Sequence, residues 1–373
     1  MISLSSFLNK TAVLLLSGLL SLSACSNTRD GFKDAIIPEG AKKKIAVLPV
    51  ENLSGTSAPL KEIRETLIQG MTEGGIRILS EESLQSFMVK YRVRYTGGVD
   101  GVIARALKEE TGVQAVLITS LELYSDQNPP KAAITSRLVS TGDEPAILWM
   151  ENAGMAGDDS PGILGLGLVE DPGILRKKIV NILSASLLNY LPEEKEREWR
   201  GPGRKFYPKV SYRSSALSPG GGYTVAVAPF FNVSDRKFAG EIMALHFVRQ
   251  LHAFKNLKVI EPGTIRHQLL SLRMIMDEGI SLADADALFS ILDADLVVSG
   301  KVREYQDYQG SWGNPRIDFS VQLLERRSRQ VVWSSTSYNQ GDDGVFFFDR
   351  GRVNTAHAMA SQMAGAIGKM LVK

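Results

Sequence analysis

Ile45-Ala46-Val47-Leu48-Pro49-Val50-Glu51-Asn52-Leu53-Ser54 returns 180 residues later as Val225-Ala226-Val227-Ala228-Pro229-Phe230-Phe231-Asn232-Val233-Ser234, with five of the ten pairs identical. The echo continues in order. Val116 and Val297, Tyr124 and Tyr305, and Asp126 and Asp307 stand 181 apart; Trp149 and Trp333, and Gly157-Asp158-Asp159 and Gly341-Asp342-Asp343, stand 184 apart. Conserved order with a slowly growing offset is what loop insertions in a duplicated domain produce. The chain therefore reads as two copies of one fold, residues 43–191 and 223–373, joined by a linker over 192–222.

Within each copy the patterning predicts the order β-α-β-α-β-β-β-α. The runs at 44–50 and 224–231 are short, rich in Val, Ile and Ala, and broken by proline, as buried strands are. Helical spacing follows in Ile63, Leu67 and Met71, matched by Met243, Phe247 and Leu251. Second strands are expected at 76–79 and 257–260. The next helix has Ser281 and Asp284 in capping-box spacing in copy two, and Ala106-Leu107 pairs with Ala287-Leu288. Third strands are expected at 115–124 and 296–305, and hairpins over 132–140 with 146–152 and 316–325 with 330–338. Three crossover-linked strands and a meander make a mixed sheet with helices packed on it, so the class is α/β (α+β), two tandem mixed-sheet domains.

The 373 residues are 44% hydrophobic and 23% charged, a globular composition, and 43 Lys+Arg against 41 Asp+Glu give no general attraction to nucleic acid. A single cysteine excludes an internal disulfide framework and any multi-cysteine metal site. That cysteine ends a segment with one cation, Lys10, an apolar run from Ala12 to Leu22 too short for a membrane span, and then Leu22-Ser23-Ala24-Cys25. The tetrapeptide resembles the bacterial lipoprotein box, in which the cysteine thiolate accepts diacylglycerol and, after cleavage, its amine is acylated. Residues 1–24 are then a signal peptide, Cys25 the lipidated amino terminus of a 349-residue mature chain, and 25–42 a tether. Ser26, rather than Asp, after the cysteine favours the periplasmic face of the outer membrane in enterobacteria-like sorting.

The linker begins with the charge run Glu193–Glu198 and ends in Pro219-Gly220-Gly221-Gly222. Its middle, Trp199–Arg213, interleaves basic and aromatic residues. Such mixing grips an anionic polymer or lipid headgroups, or straps the linker onto a domain through its aromatics.

Chemistry-bearing patterns are sparse. His246, His252, His267 and His357 all lie in copy two without metal-ligand spacing, so no metal site is expected. The Asp158-Asp159 and Asp342-Asp343 pairs read as a hard-cation or acid/base site, or as turns at strand ends. Asn52-Leu53-Ser54 and Asn232-Val233-Ser234 read as turns whose side chains bond the backbone. The candidate partner-binding residues follow each Gly-Asp-Asp: Ile163, Leu164, Leu166 and Leu168 in copy one, and Val345, Phe346, Phe347 and Phe348 in copy two. Apolar residues in such connections either contact a partner or membrane, or close over the sheet.

The opening strand with its Pro and Asn-x-Ser, the stretch from Asp293 to Tyr305 and that from Val331 to Tyr338 together resemble a known family. It is the α/β domain shared by the amino-terminal domain of TolB, the curli-secretion lipoprotein CsgG and the lipoprotein activators of penicillin-binding proteins. The resemblance covers both copies, and copy two fits better. It implies an envelope assembly or accessory protein that works by protein contact, with no catalysis and no cofactor beyond the lipid on Cys25. The alternative it implies is a self-associating, curli-channel-like secretion or pore component. The sequence departs from both relatives' full patterns: it has no strictly alternating strand pair of about nine residues to build a barrel, and no propeller. Expected partners are envelope proteins, the membrane through the anchor, and a second copy of the chain.

Overall fold

A computed structural model describes residues 44–159, 167–192, 206–274, 280–308, 313–345 and 351–372. The first copy runs β1 (Lys44–Val47), β2 (Glu51–Asn52), α1 (Leu60–Glu73), β3 (Arg77–Ile78), α2 (Glu81–Lys90), α3 (Gly101–Thr111), β4 (Ala115–Ser125), β5 (Lys131–Ser140), β6 (Ile147–Ala156) and α4 (Pro172–Tyr190). After a strand from the linker, β7 (Val210–Arg213), the second copy repeats the order. It runs β8 (Tyr223–Val227), β9 (Phe231–Asn232), α5 (Ala239–His252), β10 (Leu257–Val259), α6 (Pro262–Ser271), α7 (Leu282–Leu292), β11 (Leu296–Gln306), β12 (Arg316–Glu325), β13 (Gln330–Gln340) and α8 (Ala356–Val372). The class is the expected one, two tandem mixed-sheet domains. Each copy has two helices where the sequence pattern predicts one between the second and third long strands. In copy one they are separated by their own caps: Ser80 Oγ accepts from Ser83 N, and Asp100 Oδ1 accepts from Ile103 N.

The sheets are ordered β3-β1-β4-β5-β6 and β10-β8-β11-β12-β13-β7, with β2 on β4 and β9 on β11. The crossover-linked strands pair in parallel and the meander antiparallel, and the register repeats. Ala46 faces Val116 as Ala226 faces Val297, and Leu138 faces Trp149 as Leu323 faces Trp333. The turns repeat too. Ser54 N donates to Asn52 Oδ1 at 3.0 Å and Ser234 N to Asn232 Oδ1 at 3.0 Å, so both Asn-x-Ser segments are side-chain-closed turns. Asp159 Oδ2 accepts from Ala156 N at 2.8 Å, and Asp343 Oδ2 from Gln340 N at 3.0 Å. The aspartate pairs therefore finish strands, as the turn reading expects. From the linker, Phe206 is buried and β7 pairs antiparallel with β13, which fits a strapped segment.

Equivalent elements differ sharply in burial. Helix α1 buries three residues (Ile63, Leu67 and Met71), whereas its counterpart α5 buries twelve of fourteen. Helix α4 buries six, and α8 buries eleven. Strand β12 alternates between buried and partly exposed positions, whereas all ten residues of β5 are buried. These contrasts have one cause: α5 and α8 lie between the two sheets, one side on their own sheet and the other on the first copy's. Leu53, Ile147 and Met150 of copy one accordingly belong to the same apolar cluster as Phe247 and Met363. Among the described residues no helix is long and apolar enough to cross a membrane.

Phe247 is fully buried in that shared cluster, edge-on to Phe319 at 6.0 Å and tilted against Phe230 at 5.2 Å. Phe247→Ala is expected to cost about 3–5 kcal/mol in urea unfolding, the range for truncating a core phenylalanine.

Candidate functional site

The face of the first sheet that meets the second copy carries polar groups where an apolar core is usual. On β4, Glu122 is 1% exposed. Its Oε1 accepts from Thr135 Oγ1 on β5, and its Oε2 lies 2.6 Å from His357 Nδ1 on α8 and 3.4 Å from His246 Nε2 on α5. The two imidazoles meet edge to face with centroids 4.8 Å apart. His246 Nδ1 lies 3.4 Å from Asn152 Nδ2 on β6. Room for His357 comes from Gly154, where a Cβ would stand 2.4 Å from His357 Cδ2. Asp307 Oδ1 accepts from Ala356 N at 2.7 Å and so holds the first turn of α8, which carries His357. Burial alone would raise the Glu122 carboxyl, but the two imidazoles outweigh it and hold the group well below the usual carboxylate range. Burial lowers His246, with Glu122 opposing in part. Burial raises Asp307.

A second polar lock lies along the same seam. Arg137 Nε and Nη2 each donate at 2.9 Å to Glu261, from β5 to the start of α6, and both side chains are wholly buried. Arg137 Nη2 also donates to Gly97 O at 2.6 Å, while Glu261 Oε1 accepts from Gly263 N and Val99 N at 3.3 and 3.4 Å. Backbones touch here: a Cβ on Gly263 would stand 2.3 Å from Val99 N. Toward the rim, Arg249 pairs with Glu151 at 2.9 Å and Arg236 Nη2 donates to Glu122 O at 2.6 Å.

One end of the seam opens into a cleft of about 420 Å³, where Ser54 and Ser234 from the two Asn-x-Ser turns face Tyr124, Tyr305, Arg236 and Arg303. Lys131 Nζ donates to Tyr308 O at 2.7 Å beside it, and burial lowers its pKa.

Cys25, Ile163, Leu164, Leu166, Phe346, Phe347 and Phe348 lie outside the described residues. Leu168 is 45% exposed and Val345 is half-buried, bonded through its N to Asp342 O. The structure does bring together residues that spacing kept apart. His246, His252 and His357 are all buried, and two of them share Glu122. The cluster escapes a sequence search because its members sit on three elements more than a hundred residues apart. A local signal is Glu122 itself, the single acid in a buried strand whose other polar residues are hydroxyls.

No family model and no curated protein matches the chain. Solved structures similar to the chain each cover less than half of it. PelC from Paraburkholderia phytofirmans, described as a dodecamer, is 17% identical over 44% of this chain and 96% of its own, with a TM-score of 0.32. Lipoprotein GNA1162 from Neisseria meningitidis is 16% identical over 40% and 96%, with a TM-score of 0.29. The carboxy-terminal domain of LpoB from Escherichia coli is 14% identical over 32% and 84%, with a TM-score of 0.23. The narrower TolB and curli-secretion likeness rests on the sequence motifs alone.

Removing one partner of a buried pair strands the other charge. Arg137→Met is therefore expected to cost about 3–5 kcal/mol in urea unfolding. The double variant Arg137→Met/Glu261→Gln, which keeps the α6 cap but leaves no unpaired charge, is expected to lose less than the single variant.

Proposed function

We propose that the protein is a lipid-anchored accessory factor of the bacterial cell envelope, acting by protein–protein contact, without catalysis or a catalytic cofactor. The observation that carries this reading is where the titratable groups are spent. Glu122, His246, His357, Arg137 and Glu261 are all at most 4% exposed and joined to one another across the seam, so they hold the two copies together beyond the reach of a substrate. Support for the anchor comes from Leu22-Ser23-Ala24-Cys25, with diacylglycerol and an N-acyl chain on Cys25, and from Ser26 for the periplasmic face of the outer membrane. The stretches 161–169 and 345–348 are the proposed contact surface for an envelope protein, and Leu168 and Val345 are its described ends.

Metabolic labelling with palmitate is expected to mark the native protein and leave Cys25→Ala unmarked and released from membranes. A photo-crosslinker at Leu168 or Val345 is expected to capture a distinct envelope protein from detergent-extracted material that light scattering finds monomeric or dimeric. A large ring that depends on lipidation, with crosslinks only to itself, would instead make the protein a secretion or pore component. Equal labelling of both forms would remove the anchor.

A further inference from the structure

We propose that Glu122, His246 and His357 form a structural site for a divalent metal of the zinc class, which pins the second copy onto the first. Two imidazole nitrogens and a carboxylate oxygen lie within 4.8 Å of one another with every residue buried. That donor set suits zinc and its first-row neighbours rather than calcium or magnesium, which take oxygen.

The geometry is close to what such an ion requires. Two ligands at zinc bond lengths subtend about 3.3 Å at a tetrahedral centre. His246 Nε2 and Glu122 Oε2 already stand 3.4 Å apart. His357 Nδ1 stands at 2.6 Å from the same oxygen, so admitting an ion needs that contact to open by about 0.7 Å, while the two imidazole nitrogens, spread to the 4.8 Å limit of the group, draw in toward the ~3.3 Å spacing; both are side-chain torsions. His246 Nε2 is buried and makes no well-formed hydrogen bond, although it points at the carboxylate. An ion uses that lone pair.

The surroundings are those of ligands held from behind. Thr135 Oγ1 donates to the carboxylate oxygen away from the nearer imidazole, and the Asn152 amide stands at His246 Nδ1. Turning that amide about its terminal bond presents its oxygen to Nδ1–H and leaves Nε2 free to ligate. One enclosed water completes a tetrahedron.

The site is also a specific product of the divergence between copies. Glu122 sits at the β-bulge of β4 between Leu121 and Leu123; the same bulge of β11, between Val302 and Glu304, carries Arg303. The positions of copy one equivalent to His246 and His357 are Thr66 and Gly173, at offsets of 180 and 184. The duplication therefore supplies the site once, from one strand of copy one and two helices of copy two. Because those elements meet only when the copies are docked, metal affinity is docking energy.

Detergent-extracted full-length protein would be stripped with a chelator, incubated with zinc, desalted and assayed for metal content, and titrated in parallel with cobalt(II) as a visible-absorption probe of tetrahedral coordination. About one zinc per chain is expected, with a rise in melting temperature that the chelator reverses. His357→Gln and Glu122→Gln keep hydrogen-bonding side chains of similar length and so keep the seam. Each is expected to weaken zinc binding by roughly 10- to 100-fold or more and to abolish the tetrahedral cobalt spectrum. His267→Gln, outside the cluster, is expected to bind like the native protein. Native protein that retains no more zinc than folded His357→Gln, or a cobalt spectrum unchanged in all three variants, would overturn the site and leave a hydrogen-bonded cluster.

Discussion

All ten residues of β5 are buried, so Thr135 and Arg137 lie where water cannot solvate them, Lys131 stands at the edge of the cleft, and all three find partners inside the protein. An unpaired ion in such a position costs several kcal/mol. Satisfaction comes from the other copy, directly or one step away. Lys131 reaches Tyr308 O, Arg137 reaches Glu261, and Thr135 reaches Glu122, which turns to His357. Apolar burial alone would tolerate a range of docking angles, because it is not directional. Hydrogen bonds at 2.6–2.9 Å from two neighbouring strands do not, and the backbone contact of Gly263 on Val99 admits no spacer.

The docking is head to tail: copy one offers its sheet and copy two offers its helices, so the two surfaces joined are different surfaces of one fold. A heterologous contact of this kind leaves both complementary surfaces unused at the ends, and repetition would extend it into a ring or filament. Both ends have changed character. On α1 the positions of Ile242, Leu245 and Arg249 are taken by Glu62, Glu65 and Gln69, all exposed. On the second sheet Arg303 and Asp318 form their own two-bonded pair at 2.7 and 3.0 Å, and Tyr338 fills the position that Gly154 leaves open in the first. Polar, self-neutralised surfaces suit water rather than another sheet or helix pair.

The fold was largely legible because its signals are local. Strand composition, helical spacing and turn chemistry repeat at a regular offset, and the second occurrence corroborates the first. The predicted helix, at Ala106-Leu107 and at Ser281 with Asp284, is the second of the two in each copy; the first, α2 and α6, has no counterpart in that reading. The seam was not legible. His246 and His252 look like ordinary helix-surface residues six apart, and what buries them is a sheet from the other half of the chain. The excess of apolar residues in α5 over those in α1, read against the duplication, carries one trace of it. Glu122, the lone acid of a buried strand, is the other.

The order of the chain gives the sandwiched helices a consequence in time. Synthesis proceeds from the amino end, and β4, β5 and β6 are complete by Ala156, while the helices that cover them arrive with Ala239–His252 and Ala356–Val372. Through that interval the first copy presents a wide sheet face bearing an unpaired glutamate and arginine. It is neither apolar enough to collapse upon itself nor hydrated enough to rest in water. A nascent chain of this design is a natural client for a holding chaperone until its last helix emerges.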